Sequence, residues 1–312
     1  MTAKKPYIIL TDSSALLHDQ KSKLLVKQLN LDFFYLHLHY QENDVWKSIV
    51  LDENFNENNY LKLYETKCDF KTAQPSPSDF INKIIDLLEK YEKIYIFVLS
   101  KFISGTHNTL SNLIQKNNWK DKVILFDSVN ISAGLLSYSN LLNNQLKNYS
   151  FNLKQFSKFL SVHQKYRFWI VIPNDFSYLK RSGRMSVAAS SIVAMFRIKC
   201  SLLFEKKAEK LVIAHNLNKV FVKTFSWAGE QFESKKINSA NISIVVLVCF
   251  VNEVKIKSCI HTLKKYFPNA TIEVKPMSIL FAVYNGVDSI VIYFEANPEI
   301  FFNKKELLQL IS

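Results

Sequence analysis

The sequence predicts two domains: an N-terminal α/β domain with a parallel sheet, then a C-terminal α+β domain whose sheet is mostly antiparallel. Three observations carry this. The chain has 312 residues, a length that suits two domains better than one or three. In the first half, short apolar runs alternate with segments of helical periodicity, the pattern of a parallel sheet with helices on its faces. In the second half, strand-like runs follow one another with fewer helices between them. The boundary falls near residues 149–153, separating 1–152 from 153–312.

Each element has its own warrant. Tyr7-Ile8-Ile9-Leu10 reads as a buried strand that ends in the polar loop Thr11-Asp12-Ser13-Ser14. Residues 24–29 look helical, 31–39 strand-like, 52–59 a polar Asn-rich connection and 58–64 a short helix. Pro75-Ser76-Pro77-Ser78 makes a turn that opens a helix, because Phe80, Ile81, Ile84, Ile85, Leu87 and Leu88 recur at helical spacing. A very apolar strand follows at 94–99, a helix at 109–116, a strand at 123–126 ending in Asp127-Ser128, and a helix at 131–146. In the second half, strands are expected at 168–172, 198–205, 210–214, 242–251, 271–276, 279–284 and 289–294. Helices are expected at 176–180, 219–225 and 254–266, with an apolar helical turn at 190–196.

Composition narrows the function classes. Hydrophobic residues make up 48% and charged residues 21%, ordinary for a globular chain with a sizeable core. Phe, Tyr, Lys, Ile and Asn are abundant and Gly is scarce, a bias that matches AT-rich codons and needs no functional cause. The net charge of +13 permits attraction to an acidic protein partner or an anionic membrane surface. Nucleic acid is disfavoured, because Lys and Arg are spread along the chain without a basic stripe interleaved with stacking aromatics. Cys68, Cys200, Cys249 and Cys259 form no CxxC pair and have no His at metal-ligand spacing. The expectation is a reducing, cytoplasmic setting. The N-terminus runs directly into a strand without a signal-peptide pattern, and the longest apolar run, 242–251, is too short for a transmembrane helix.

The chemistry-bearing residues are small hydroxyls in loops. Asp12-Ser13-Ser14, Thr72, Ser104-Gly105-Thr106 and Asp127-Ser128 are read as loops of the first domain. In an open parallel sheet, ligands sit beyond the carboxyl ends of the strands, where helix N-termini add N–H donors for an anion. Short hydroxyls there suit a carboxylate or phosphate, although Ser13, Ser14 and Ser128 also suit plain helix capping. A serine hydrolase is disfavoured, because His107 lies only three residues from Ser104 and no G-x-S-x-G elbow is present. His37 and His39 share one face of a strand but lack a further metal ligand at suitable spacing. Phosphate-binding Gly-rich fingerprints for ATP or dinucleotides are missing.

These residues, in this order, resemble the DegV family of fatty-acid-binding proteins. The resemblance rests on Leu10-Thr11-Asp12-Ser13-Ser14, Thr72-Ala73-Gln74-Pro75-Ser76-Pro77, Ser104-Gly105-Thr106-His107, Phe126-Asp127-Ser128, Phe176 to Ser186 with its Arg181-Ser182-Gly183-Arg184, and Ile198-Lys199 with Leu202-Leu203. It implies two domains enclosing one long-chain fatty acid, with the acyl tail in an apolar tunnel and the carboxylate at its mouth. It also implies a non-catalytic subunit without a cofactor, which presents the carboxylate to a separate fatty acid kinase for acyl phosphate formation. Carried over by motif, Thr72 and Ser104 would hydrogen-bond the head group, and Arg184 would lie near it and near the kinase surface. Gly105, Thr106, Ser13, Ser14 and Ser128 would complete the surrounding loops.

The chain departs from the family at one place. Where the family has a Gly-Thr-His-Thr-Gly-like segment, this chain has Ala282-Val283-Tyr284-Asn285-Gly286, with Tyr284 at the His position and Asp288 in place of the second Gly. A phenol can donate one hydrogen bond to a carboxylate but cannot become a cation near neutral pH. Tyr284 therefore either preserves binding in neutral form or marks a diverged interaction or regulatory protein that has lost the lipid.

Overall fold

The computed structural model describes residues 3–148, 151–174, 179–180, 182, 184–186 and 198–303. The chain divides into two compact units, Met1–Ser157 with Ser278–Leu280, and Lys158–Met277 with Phe281–Ser312. The main division thus lies at 157/158, where the sequence predicted 152/153.

Along the first unit run β1 (Lys5–Asp12), α1 (Gln20–Leu29), β2 (Leu31–Phe34), β3 (His37–Glu42) and β4 (Val45–Val50). They are followed by α2 (Glu57–Glu65), β5 (Phe70–Ala73), α3 (Pro77–Lys90), β6 (Tyr91–Phe97), α4 (Thr106–Lys116), β7 (Val123–Phe126) and α5 (Ser132–Lys147). β2-β1-β6-β7 form one sheet in that order, parallel at every pairing. Both faces are covered, which explains why its strands are continuous apolar runs and not alternating ones. On one face Ile8, Leu10, Ile94, Ile96 and Val98 meet Phe80, Ile84, Leu87, Leu110 and Ile114 of α3 and α4. On the other, Phe97 stacks on Phe126 at 4.8 Å and meets Tyr138 of α5 at 6.2 Å. Each such side chain contributes about 1.5–3 kcal/mol when fully buried.

The second sheet of this unit, β4-β3-β5, is antiparallel. The sequence reading of 31–39 as one strand is corrected here: it splits into β2 and β3, which belong to different sheets. The cause is Leu36, whose N–H donates to Ser13 Oγ (2.9 Å) and whose carbonyl accepts from Leu51 N (2.8 Å), so neither group continues a strand ladder. β4 was not foreseen. Its signal was Asn43-Asp44, the two-residue turn of a hairpin, with φ of 50° and 62°. β5 was not foreseen either, because four residues are too few to show a period.

α3 starts where the sequence placed it. Ser76 accepts from Asp79 N (3.2 Å), Asp79 Oδ2 accepts from Ser76 N (3.0 Å), and Pro77 opens the helix. Replacing Ser76 with Ala is expected to cost about 1 kcal/mol, read as a shift in urea midpoint at unchanged slope. An unchanged midpoint would show that this cap adds nothing.

The second unit holds most of α6 (Leu153–His163), then β8 (Arg167–Ile172), β9 (Lys199–Phe204), β10 (Ala208–Ala214), α7 (Leu217–Glu233), β11 (Ile242–Cys249), α8 (Glu253–Tyr266), β12 (Thr271–Pro276), most of α9 (Ile279–Asn285), β13 (Ser289–Ala296) and α10 (Ile300–Asn303). Its sheet runs β10-β9-β8-β13-β11-β12. Every pairing is antiparallel except β11 with β12, which α8 connects as parallel neighbours. The predicted fold class, a parallel α/β part followed by a mostly antiparallel α+β part, is the one observed. Alternation along β8 and β13 fixes the two faces. Phe168 stacks on Phe294 (5.0 Å) and meets Phe232 of α7, while Trp169 stacks on Tyr293 (4.3 Å) and meets Phe281 of α9.

One predicted strand of this unit is wrong. Residues 279–284 form the helix α9, closed by Gly286 N donating to Ala282 O (2.8 Å). A short apolar run carries no period that separates strand from helix, and Phe281, Ala282 and Val283 are buried in succession. The expected helical turn at 190–196 and the first part of the helix at 176–180 lie outside the described residues; Leu179 and Lys180 are helical.

Candidate functional site

The carboxyl ends of β1, β6 and β7 bring three predicted loops to one edge of the parallel sheet. Asp12 organises that edge. It is fully buried, accepts from Ser14 N at 3.0 Å through Oδ1, and accepts from Leu99 N through Oδ2. Burial pushes its carboxyl up to about 6, against the pull of these hydrogen bonds. Ser100 N donates to Asn130 O (2.9 Å), which ties the β6 loop to the β7 loop.

The hydroxyls fall into two groups. Ser13, Ser14 and Ser128 are interior, with 6%, 1% and 1% exposure. Ser13 Oγ receives Leu36 N, and Ser128 Oγ donates weakly to Val98 O at 3.5 Å. Both hydroxyls therefore hold backbone in place. Ser104 is half-buried and Gly105 exposed, at the start of α4. Ser104 Oγ and Thr106 Oγ1 lie 2.8 Å apart, and Thr106 N donates to Ser104 Oγ at 3.3 Å. Gly105, at the N-cap of α4, provides no side-chain cap, and the first turn carries no acidic residue. That end of the helix is suited to an anion.

Thr72 is not in a loop, as the sequence suggested, but inside β5, paired with Leu38 of β3. Its segment still reaches the Ser104 loop, through a residue that the sequence reading left unassigned. Gln74 Nε2 donates to Thr109 Oγ1 (2.8 Å), and a Cβ placed on Gly105 would lie 3.4 Å from Gln74 Oε1. The available signal was Gln74's place between Thr72 and Pro75. His107, in the first turn of α4, is half-buried, and its pKa is lowered by burial and by Lys101, against the pull of Asp127. Lys101 and Asp127 pair at 2.5 Å.

In the second unit the structure brings Arg184 and Tyr284 together. The Arg184 guanidinium lies over the Tyr284 ring, 4.6 Å from its centroid, and Nη1 donates to Ser182 O at 3.3 Å. Backbone bonds to Ala208 fix this segment: Ala208 N donates to Arg184 O (2.9 Å) and Ser186 N to Ala208 O (3.0 Å). Asp288 adopts a left-handed φ of 61°, the conformation that a glycine would take freely. Its Oδ2 lies 3.1 Å from Lys255 Nζ, so the added carboxylate has a counter-charge. Gly183 and Arg181 lie outside the described residues.

Other chemistries find little support in the described residues. No group of three or more His, Cys, Asp and Glu could hold a metal ion, and no helix is long and apolar enough to cross a membrane. His37 and His39 stack at 6.3 Å on β3. Burial pushes the Cys200 and Cys259 thiols up to about 12, so neither is a nucleophile at neutral pH. A shallow cleft of about 510 Å³ in the second unit, floored by Phe232, Ile242 and Phe267, includes none of the predicted site residues.

The architecture, a parallel sheet in one unit and a mixed sheet in the other, is that of a class of two-unit α/β proteins known from several bacteria. A stearic acid-binding protein from Eubacterium ventriosum shares 15% identity, with a TM-score of 0.79 over 94% of this chain and 99% of that one. A fatty-acid-binding DegV family protein from Thermus thermophilus shares 18% identity, with a TM-score of 0.78 over 93% and 99%. The Streptococcus pneumoniae fatty acid kinase B3 protein, loaded with linoleic acid, shares 19% identity, with a TM-score of 0.70 over 94% and 100%. The chain belongs to the DegV family: the family profile, described as "Uncharacterised protein, DegV family", matches residues 7–297. Among curated proteins, the DegV domain-containing protein MG326 homolog of Mycoplasma pneumoniae is 23% identical over 187 residues, a match that spans 58% of this chain and 64% of that protein.

Proposed function

We propose that the protein binds a long-chain fatty acid and presents its carboxyl group to a separate ATP-dependent kinase, which makes the acyl phosphate. The chain itself is non-catalytic and uses no cofactor. The observation that carries this reading is the Ser104–Thr106 hydroxyl pair, 2.8 Å apart at the start of α4, where the N-cap Gly105 has no side chain to offer, and joined through Gln74 to the segment of Thr72. Its setting, in a fold shared almost end to end with proteins solved with fatty acids, supports a carboxylate as the group held there.

The physics suits a fatty acid. Each buried methylene is worth about 0.8 kcal/mol, so an acyl tail supplies the affinity. The carboxylate cannot follow the tail without hydrogen bonds, because an unpaired buried charge is very costly. Hydroxyls and helix N–H groups satisfy it from one side and leave its other side open to a phosphoryl donor. The net charge of +13 favours an acidic kinase surface or an anionic membrane as the place of exchange. Arg184, 4.6 Å over the centre of the Tyr284 ring, is assigned to recognition of the carboxylate or of the kinase.

The test is direct. Native mass spectrometry of the purified protein should show a bound fatty acid. In a delipidated sample, Thr72→Ala with Ser104→Ala should weaken oleate binding by about tenfold or more, roughly 1.4 kcal/mol. Unchanged affinity would remove these two residues from the head-group site. A second reading has one observation in its favour: Arg184 already packs on Tyr284, the residue that the family resemblance sets at a His position. In that reading the protein is a diverged interaction or regulatory module. A wild-type protein that neither carries nor takes up fatty acid would establish it.

A further inference from the structure

Gln74 is held at one end and open at the other. Its Nε2 donates to Thr109 Oγ1 at 2.8 Å. Its Oε1 is buried and has no hydrogen-bond partner. A buried acceptor left unmatched costs on the order of 1–3 kcal/mol. Methionine, of similar shape, would fill the same space without that cost. The open end lies against Gly105, where a Cβ would approach it to 3.4 Å. Gly105 lies between Ser104 and Thr106, whose hydroxyls bond to each other at 2.8 Å. One hydroxyl proton is used within that pair, and the other remains to be donated. Thr109 Oγ1 can accept from the amide or donate to it, so the Gln74 amide can offer Gly105's side either C=O or NH2.

A carboxyl group has two oxygens, and the Ser104–Thr106 pair, with one spare proton, donates only one hydrogen bond to them. We propose that Gln74 binds the second oxygen of the carboxyl group, its amide turned against Thr109 to present NH2 to a carboxylate, and so selects free fatty acids over their esters. This rests on the lipid-binding reading of the same site. An ester carries an alkyl group on the second oxygen, which removes the anionic acceptor and crowds the amide. Selection for the free acid is what a kinase substrate requires, because only a free carboxylate can take a phosphoryl group.

The experiment compares oleic acid with methyl oleate on delipidated wild-type protein, Gln74→Met and Gln74→Glu. Wild type should favour the acid. Gln74→Met should lower acid affinity about tenfold and leave ester affinity within about twofold, narrowing the ratio. Gln74→Glu keeps an acceptor for the Thr109 hydroxyl and places a negative charge at the open end; it should lower acid affinity further without lowering ester affinity. A purely structural Gln74 would weaken both ligands equally and lower the melting temperature, leaving the ratio unchanged, and that result overturns the inference. Wild-type protein that binds neither ligand overturns the lipid-binding reading itself, and the inference with it.

Discussion

Acidification from pH 7 to pH 5 should weaken the second unit by about 2 kcal/mol through one residue, His163. His163 ends α6 and is fully buried, with Phe159 stacked at 5.0 Å and Phe301 edge-on at 4.9 Å. Its Nε2 lies 2.8 Å from Ala296 O, which can only accept, so Nε2 carries a proton. Glu295 Oε1 is 3.9 Å from Nδ1, but it already receives the Tyr293 hydroxyl at 2.7 Å and stands opposite the buried Arg167 in the β8–β13 pairing. Burial, with Arg167 adding to it and the Ala296 bond opposing it, lowers the His163 pKa from 6.5 to about 3.

The unfolded chain binds this proton near pH 6.5, and the folded chain holds it off until about pH 3. Between those values the unfolded state binds more protons, so stability falls as pH falls. About 1.5 pH units below 6.5, at roughly 1.4 kcal/mol per unit, gives about 2 kcal/mol at pH 5. Asp12 acts in the opposite sense in the first unit. Its folded pKa is raised from 3.8 to about 6, so its charged form is disfavoured in the fold, and its contribution improves as pH falls through that window. Urea unfolding at pH 7 and pH 5, for wild type and His163→Gln, provides the check. Gln keeps a donor for Ala296 O and does not titrate, so the variant should lose about 2 kcal/mol less on acidification. Hydrogen exchange should assign the wild-type loss to β8 and β13. Equal pH dependence in the two proteins would show that His163 does not control it.

Gly134→Ala should destabilise the first unit by about 1–3 kcal/mol, although Gly→Ala within a helix is ordinarily favourable by up to about 1 kcal/mol. Gly134 lies in the first turn of α5, and a Cβ there would come within 2.1 Å of Asn130 Oδ1 and 2.3 Å of its Nδ2. Asn130 has no easy way to move: it is 0% exposed, and its Oδ1 accepts from Ile131 N at 3.0 Å. The matched control is Gly229 in α7, where a Cβ would have nothing within 4 Å. Gly229→Ala should gain roughly 0.5–1 kcal/mol. Urea midpoints of both variants test the contrast. Shortening the wedge in Gly134→Ala/Asn130→Ala should return part of the loss, as a positive coupling in a double-mutant cycle. If Gly134→Ala stabilises as Gly229→Ala does, close packing at Asn130 is not what requires the glycine.

How far the site was legible depends on the range of the interaction that defines each part. Ser104, Gly105 and Thr106 were read as a loop ahead of a helix at 109–116, whereas α4 already begins at Thr106, because the residues of its first turn carry no apolar period. Thr72 was read as part of a loop and lies in a strand, because that strand exists only through β3, more than thirty residues away. Gln74 was passed over, since its partner Thr109 is remote in sequence. The Arg184–Tyr284 stack joins residues a hundred positions apart, and only family resemblance, not spacing, had linked them.

What the sequence by itself determined is the alternation of buried strands and amphipathic helices in the first half, the antiparallel character of the second, and the capped start of α3. Burial on two faces makes a strand apolar throughout, and capping acts over a single turn, so both leave a mark in consecutive residues. The tertiary structure alone decided that 31–39 belongs to two sheets, that 279–285 is helical, and that Ser13 and Asp12 hold backbone segments together. Those outcomes depend on which distant backbone groups compete for the same hydrogen bonds. A competition between partners far apart along the chain leaves no period or spacing in the sequence to read.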